Sequence, residues 1–169
     1  MKHPTSSDQS HRLAGIAAEL GKRDAIVVLE QEAYLSVVRT ASRLGESFDR
    51  LFREHGLSHP LYNVLRIVAG HEPDGATAQR IGEHLISRGP DVTRLVTRLD
   101  SLGLVSRHDC DRDARCRYVR LTPEGRAKLD QLDPLVLDLH RRQLGHLSSD
   151  DLRMLCQLLS RARKVQSPY

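Results

Sequence analysis

The sequence predicts a mainly α-helical fold that carries a small β-hairpin between its helices. Three observations predict it. Apolar residues recur at three- and four-residue steps over most of the chain, the period shortens to two only after Gly103, and Gly, Pro and capping residues punctuate the runs. With 169 residues, 39% of them apolar and 28% charged, the chain can bury a core of its own and is not expected to be disordered or fibrous.

The elements follow in order. Residues 1–22 are polar apart from a weak apolar patch between Leu13 and Leu20, which predicts a frayed or partly helical arm. From Asp24 to His55, Leu29, Ala33, Val37, Ala41, Leu44, Phe48, Leu51 and Phe52 keep helical spacing without a Pro, and Gly56 stands where a glycine ends a helix. Ser58-His59-Pro60 opens a second helix, with Ser58 as N-cap and Leu61, Val64, Leu65, Ile67 and Val68 as its apolar positions. After a loop from Gly70 to Gly75, a short helix starts near Thr77 and turns Ile81 and Leu85 inward.

Arg88-Gly89-Pro90-Asp91 reads as a turn into a helix over Pro90 to Leu102, with Pro90 near its first position. At about 100° per residue, Val92, Leu95, Val96, Leu99 and Leu102 share one face, and Arg94, Thr97, Arg98 and Ser101 point the other way. Leu104–Arg107 and Arg117–Leu121 read as two strands, and the polar stretch from His108 to Cys116 as the loop of their hairpin. Thr122-Pro123 starts a helix that carries Leu129, Leu132, Val136, Leu139 and Leu144 and is expected to kink or break near Pro134. A last helix follows the Ser148-Ser149-Asp150-Asp151 cap, with Leu152, Leu155, Cys156 and Leu159 on an apolar face; Cys156 is expected in the core.

Charge is unevenly placed. The whole chain carries only +4, but residues 78–128 hold eleven basic and seven acidic side chains, while the flanking segments are nearly neutral. An acidic partner for that middle segment is expected, nucleic acid first among them. The basic residues are 22 Arg and 4 Lys, and Arg suits bidentate contacts to phosphates and guanine edges.

Other classes are set aside. No apolar run approaches the roughly 20 residues of a membrane span, and the first residues lack the apolar core of a signal peptide, so a cytoplasmic location without membrane contact is expected. Three cysteines without a two-residue spacing fit neither a disulfide scaffold nor a zinc finger. No nucleophile–base pair, Gly-rich phosphate loop or fixed carboxylate pair is present, so neither an enzyme nor a cofactor is expected.

A short helix, a tight turn, a second helix and a two-stranded hairpin in that order describe a winged helix-turn-helix. Arg94-Leu95-Val96-Thr97-Arg98-Leu99-Asp100-Ser101-Leu102-Gly103-Leu104-Val105 resembles the recognition helix and first wing strand of the multiple antibiotic resistance regulator (MarR) family. Asp113-Ala114-Arg115 and Val119-Arg120-Leu121-Thr122-Pro123-Glu124-Gly125 resemble its wing and the start of the next helix, and Tyr62–Ile67 its second helix. The resemblance covers roughly residues 25–165. It implies a homodimeric transcription regulator, expected as a repressor, on a pseudo-palindromic operator in double-stranded DNA. The organisation expected is an arm at 1–22, a helical dimerisation region at 23–57 and 123–169, and a DNA-binding domain at 58–122.

The candidate DNA-binding residues are Arg88, Pro90, Asp91, Thr93, Arg94, Thr97, Arg98, Arg112, Asp113 and Arg115. Arg94 and Arg98 lie one turn apart with Thr97 between them, a set of donors for phosphates and base edges. By resemblance Arg115 is the wing-tip arginine of the minor groove and Asp113 the acid that orients it, a pairing that suits both a narrow groove and a fixed guanidinium fork. Pro90 and Asp91 depart from the Ser or Thr of many family members; Asp91 could accept from a cytosine amino group or favour the helix N-terminus. The resemblance also implies a small-molecule effector pocket between the long helix and the DNA-binding lobe, with Tyr34, Arg39, His59 and Tyr62 as candidates.

Two alternatives differ in mechanism. Cys110 and Cys116 on the wing could form a redox switch, favoured by neighbouring Arg and opposed by Asp109, Asp111 and Asp113. A winged helix can also serve as a protein-interaction module without DNA, but such a surface would expose aromatics more than arginines. His108, Asp109, Cys110 and Asp111 match no metal-ligand spacing, and no metal is expected.

Overall fold

The computed structural model describes residues 15–22, 26–87, 89, 91–110 and 113–164, with the side chains of all of them except 110 and 113–116. The chain divides into two compact units, Met1–Ser47 and Phe48–Tyr169.

The first unit contains α1 (Ile16–Glu19) and the greater part of α2 (Leu29–Glu54). α2 was expected from Asp24 but begins at Leu29, and residues 26–28 are not helical. Ile26, Val27 and Val28 are all β-branched, and such residues lose side-chain freedom against a helical turn. The last turns of α2 belong to the second unit, where Phe48 and Phe52 are buried. The helix ends as its sequence predicts: Leu57 N donates to Phe52 O at 2.8 Å and Gly56 N to Arg53 O at 3.1 Å, the bond pair of a glycine-terminated helix.

The second unit is built around α3 (His59–Ala69), whose Leu61, Val64, Leu65 and Val68 are all buried. Ser58 has the extended backbone of an N-cap, although its side chain makes no capping bond. Next come β1 (Ala76–Thr77), α4 (Ala78–His84) and α5 (Val92–Ser101). They are followed by β2 (Val105–Cys110), β3 (Asp113–Leu121), α6 (Pro123–Leu144) and α7 (Ser149–Ala162). The sheet is antiparallel in the order β1-β3-β2, so Val119 of β3 lies opposite both Ala76 and Arg107.

β1 was absent from the sequence reading because two residues show no period. The strands of the hairpin are also longer than expected: β2 reaches Cys110 and β3 starts at Asp113 within what reads as a polar loop. An antiparallel ribbon that is solvated on its outer part needs no apolar alternation, so its sequence gives no strand signal. α6 runs through Pro134 without a break. Its first turn has the expected cap, with Gly125 N donating to Thr122 Oγ1 at 3.0 Å, and α7 has the same device in Asp151 N and Ser148 Oγ at 3.1 Å.

One core fills the second unit, with Phe52, Leu65, Ile81, Leu99, Leu129, Leu132, Val64, Val68 and Val105 almost wholly removed from solvent. Each such side chain stabilises the fold by about 1.5–3 kcal/mol. α7 is different: it has no buried residue, and Cys156, expected in the core, is exposed. The apolar face that its spacing predicts is real, and its Met154, Leu155 and Leu158 are exposed.

Two glycines have distinct reasons. Gly103 (φ 69°) ends α5 in the left-handed region, and a Cβ there would meet nothing. Gly125 is buried, and a Cβ there would overlap the carbonyl oxygen of Leu104. Gly103→Ala is therefore expected to cost about 1–2 kcal/mol, the penalty of the left-handed conformation, and Gly125→Ala more than about 3 kcal/mol, because backbone must move. Urea unfolding at one fixed protein concentration measures both, and equal losses would contradict the distinction.

Candidate nucleic-acid interface

α4, its turn and α5 form the helix-turn-helix. Val96 and Leu99 of α5 are buried, Val92 and Leu95 are half-buried, and Thr93, Arg94, Thr97 and Arg98 are exposed, as the helical period predicts. Asp91 is the N-cap: its Oδ1 accepts from Arg94 N at 3.3 Å, the helix-terminus role of the two its position allows. Among the described residues neither Arg94 nor Arg98 has an ion-pair partner. The other described arginines of the basic segment do have partners: Arg80 pairs with Glu83, Arg107 with Asp100, Arg117 with Asp109 and Arg126 with Glu72, while Arg120 Nε donates to Asp74 O. The described arginines of this segment thus separate into those that have partners in the lobe and two, on the exposed face of α5, that have no ion-pair partner among the described residues.

In the wing, Asp109 lies opposite Arg117 and their side chains pair at 3.1 Å, while His108 Nε2 meets Ser106 Oγ at 2.9 Å. The register shifts between Asp109 and Cys110. Arg88, Pro90 and Arg112 lie outside the described residues, as do the side chains of Asp113, Arg115, Cys110 and Cys116.

Residues beyond the candidate DNA-binding set also hold this surface in place. Asn63 of α3 accepts from Ile86 N at 3.0 Å through Oδ1, so α3 fixes the turn of the helix-turn-helix from behind. Ile86 itself is 79% exposed at that turn. Arg107 of β2 reaches α5, donating through Nη2 to Thr97 Oγ1 at 2.6 Å. Its place two residues after the buried Val105, on the inward face of the strand, is the signal that could have found it.

The four residues considered for an effector pocket divide between the two units. Tyr34 and Arg39 are on α2 in the first, with Tyr34 exposed. His59 and Tyr62 are together in the second, their rings 5.3 and 4.5 Å from that of Phe52. Tyr62 also donates its hydroxyl to Asp133 Oδ1 of α6 at 2.9 Å, and Arg66 Nη1 donates to Asp133 Oδ2 at 2.6 Å. Among the described residues no three His, Cys, Asp or Glu side chains gather into a metal site, and no helix is long and apolar enough to cross a membrane.

A helix-turn-helix followed by a two-stranded wing and flanked by long helices is shared with known proteins. The family model for the MarR family matches residues 55–115. The crystal structure of a MarR transcription factor from Planctomyces limnophilus is 38% identical, with a TM-score of 0.63, over 80% of this chain and 98% of that one. The chain belongs to the MarR family. The HTH-type transcriptional regulator YkoM of Bacillus subtilis is 28% identical over 129 residues, 76% of this chain and 82% of YkoM. Sco3205, a MarR family transcriptional regulator from Streptomyces coelicolor solved in complex with DNA, shares the fold with a TM-score of 0.73 at 23% identity, over 87% of this chain and 94% of that one. These relatives are named as regulators of transcription, in keeping with the expectation of a MarR-family binding protein and not an enzyme.

The Tyr62 phenol has a measurable signature. Burial first, then the hydrogen bond and charge of Asp133, push its pKa from 10.0 up to about 12. The folded state therefore holds this proton more tightly than the unfolded one. Its contribution to stability is complete below pH 10 and is lost as pH rises through about 12. In a tyrosinate absorbance titration of the folded protein, Tyr62 is expected to give a late step, and Tyr62→Phe should remove it. A late step that survives the substitution contradicts the assignment.

Proposed function

We propose that the chain is a sequence-specific DNA-binding transcription regulator that acts as a homodimeric repressor on a pseudo-palindromic operator and responds to a small-molecule effector. The observation that carries the reading is the pair Arg94 and Arg98, exposed on the outer face of α5 and without ion-pair partners among the described residues, in a helix-turn-helix whose inner face is core. α5 enters the major groove, where Thr93, Arg94, Thr97 and Arg98 meet phosphates and base edges, and Arg88 and Arg112 add charge toward the backbone. Arg115 of the wing, oriented by Asp113, reaches the flanking minor groove.

Dimerisation is supported by the faces left open on the helices outside the lobe. Met154 is 56% and Leu158 50% exposed on α7, and Leu135 and Leu137 of α6 and Val37 and Val38 of α2 are exposed as well. A second copy of the chain covers these faces and sets the spacing of two recognition helices. An effector, with His59 and Tyr62 beside Phe52 in the second unit as candidates to meet it, favours the dimer whose spacing mismatches the operator, and DNA is released by a shift of population.

Fluorescence anisotropy with DNA from upstream of the protein's own gene, across a salt series, tests the reading. Specific binding should weaken steeply with salt, as expected when several phosphates are neutralised. Arg94→Ala is expected to weaken it about tenfold or more and Arg115→Ala by less. Binding that is absent on every DNA tried, or insensitive to salt, would sink the proposal. For the dimer, Leu158→Glu is expected to give a monomer in sedimentation velocity with DNA affinity lost, and a dimer that survives it refutes this placement of the interface.

A further inference from the structure

Thr97 lies on the exposed face of α5, yet its hydroxyl is already engaged from within. Arg107 lies on β2 opposite the buried Val119 and on the same side of the strand as Val105, so its side chain runs under α5 and not into solvent. Its Nη2 donates to Thr97 Oγ1 at 2.6 Å. Its Nε, which is buried, lies 3.3 Å from Asp100 Oδ2, an ion pair without the alignment of a hydrogen bond. The shortest contact of the guanidinium is therefore to the hydroxyl and not to the carboxylate. Asp100, 44% exposed at its side chain against 29% for Arg107, holds the fork from one side while the free amino group reaches the threonine.

A hydroxyl has one proton to give and two lone pairs to receive. A charged donor on one lone pair makes the remaining proton a stronger donor and directs it away from the guanidinium. The same positive charge opposes the approach of a second donor. We propose that Arg107 is a positioning residue that holds the Thr97 hydroxyl as a donor toward DNA and thereby sets one base preference of the recognition helix. The bases accepted are those that present an acceptor in the major groove, guanine N7 or O6, adenine N7 or thymine O4, and the cytosine amino group is rejected. This inference rests on the DNA-binding reading above and adds to it the chemistry of one position. Lys cannot replace Arg here, since an ammonium lacks the fork that touches Thr97 and Asp100 together.

The test is in vitro selection from random DNA duplexes with the full-length protein, followed by anisotropy on the selected site. The wild type is expected to enrich an acceptor-bearing base at one position of each half-site. Thr97→Val should relax that position and lower affinity about five- to tenfold, and Thr97→Ser should restore both. Arg107→Gln should relax the same position, and the double variant should bind within about twofold of the weaker single one, because both changes break one interaction. The salt slope should change by less than about one, unlike the loss of a phosphate-contacting cation. Where Arg107→Gln lowers the melting temperature, Arg107→Lys, which keeps the charge, should relax the same position. Thr97→Val that leaves the selected sequence unchanged, or Arg107 variants that leave the Thr97 position intact, overturn the inference while DNA binding stands. A wild type that enriches no sequence overturns the DNA-binding reading, and this inference falls with it.

Discussion

Three elements that matter for recognition meet at one place, and they can meet because no side chain stands at position 125. Gly125 brings the first turn of α6 against the Leu104 carbonyl, the residue that follows the end of α5 and precedes β2. Thr122 completes the junction. Its N donates to Leu104 O at 3.2 Å, its hydroxyl donates to Gly103 O at 2.6 Å, and the same oxygen accepts from Gly125 N. The end of the recognition helix, the root of the wing and the start of the long helix are thus tied by three hydrogen bonds that converge on Thr122. Each partner of Thr122 in them is a backbone group, so the angle between α5 and the wing is not left to long exposed side chains.

The remaining ties are made by charge, and they explain how arginines are used. Arg126 anchors the loop before β1 through Glu72, Arg120 holds the same loop through the Asp74 carbonyl, and Arg66 joins α3 to α6 through Asp133. All three arginines are partly or largely exposed, where the two ion pairs and the hydrogen bond to the carbonyl contribute little stability on their own. Their worth is positional: each links residues far apart in sequence, and together they fix the perimeter of a lobe whose centre is held by apolar burial. Arg94 and Arg98 differ from these residues in having no ion-pair partner among the described residues.

Much of this was legible in the sequence, for identifiable reasons. Long amphipathic helices declare themselves by period, and Gly56, Gly103, Thr122-Pro123 and Ser148 mark their ends by chemistry that is local. The exposed face of α5 followed from the same geometry. What was not legible depends on partners distant in the chain. β1 exists only because β3 offers an edge, Asn63 acts only because the turn at Ile86 lies over it, and Gly125 is needed only because Leu104 is near. Cys156 shows the converse limit: period told that its helix has an apolar face, but not what covers that face.

The wing has a further consequence. Its outer described side chains lie outside the core: His108, Asp109 and Arg117 are exposed and are held by the ladder between β2 and β3, the Asp109–Arg117 pair and the His108–Ser106 contact. A segment with a backbone ladder and no apolar burial opens at a small fraction of the free energy of global unfolding, so its amides should exchange long before those of α3. It is also cheap to alter. Substitutions at its tip can change what the protein touches without drawing on the stability of the lobe, which makes the hairpin the part of this architecture freest to diverge.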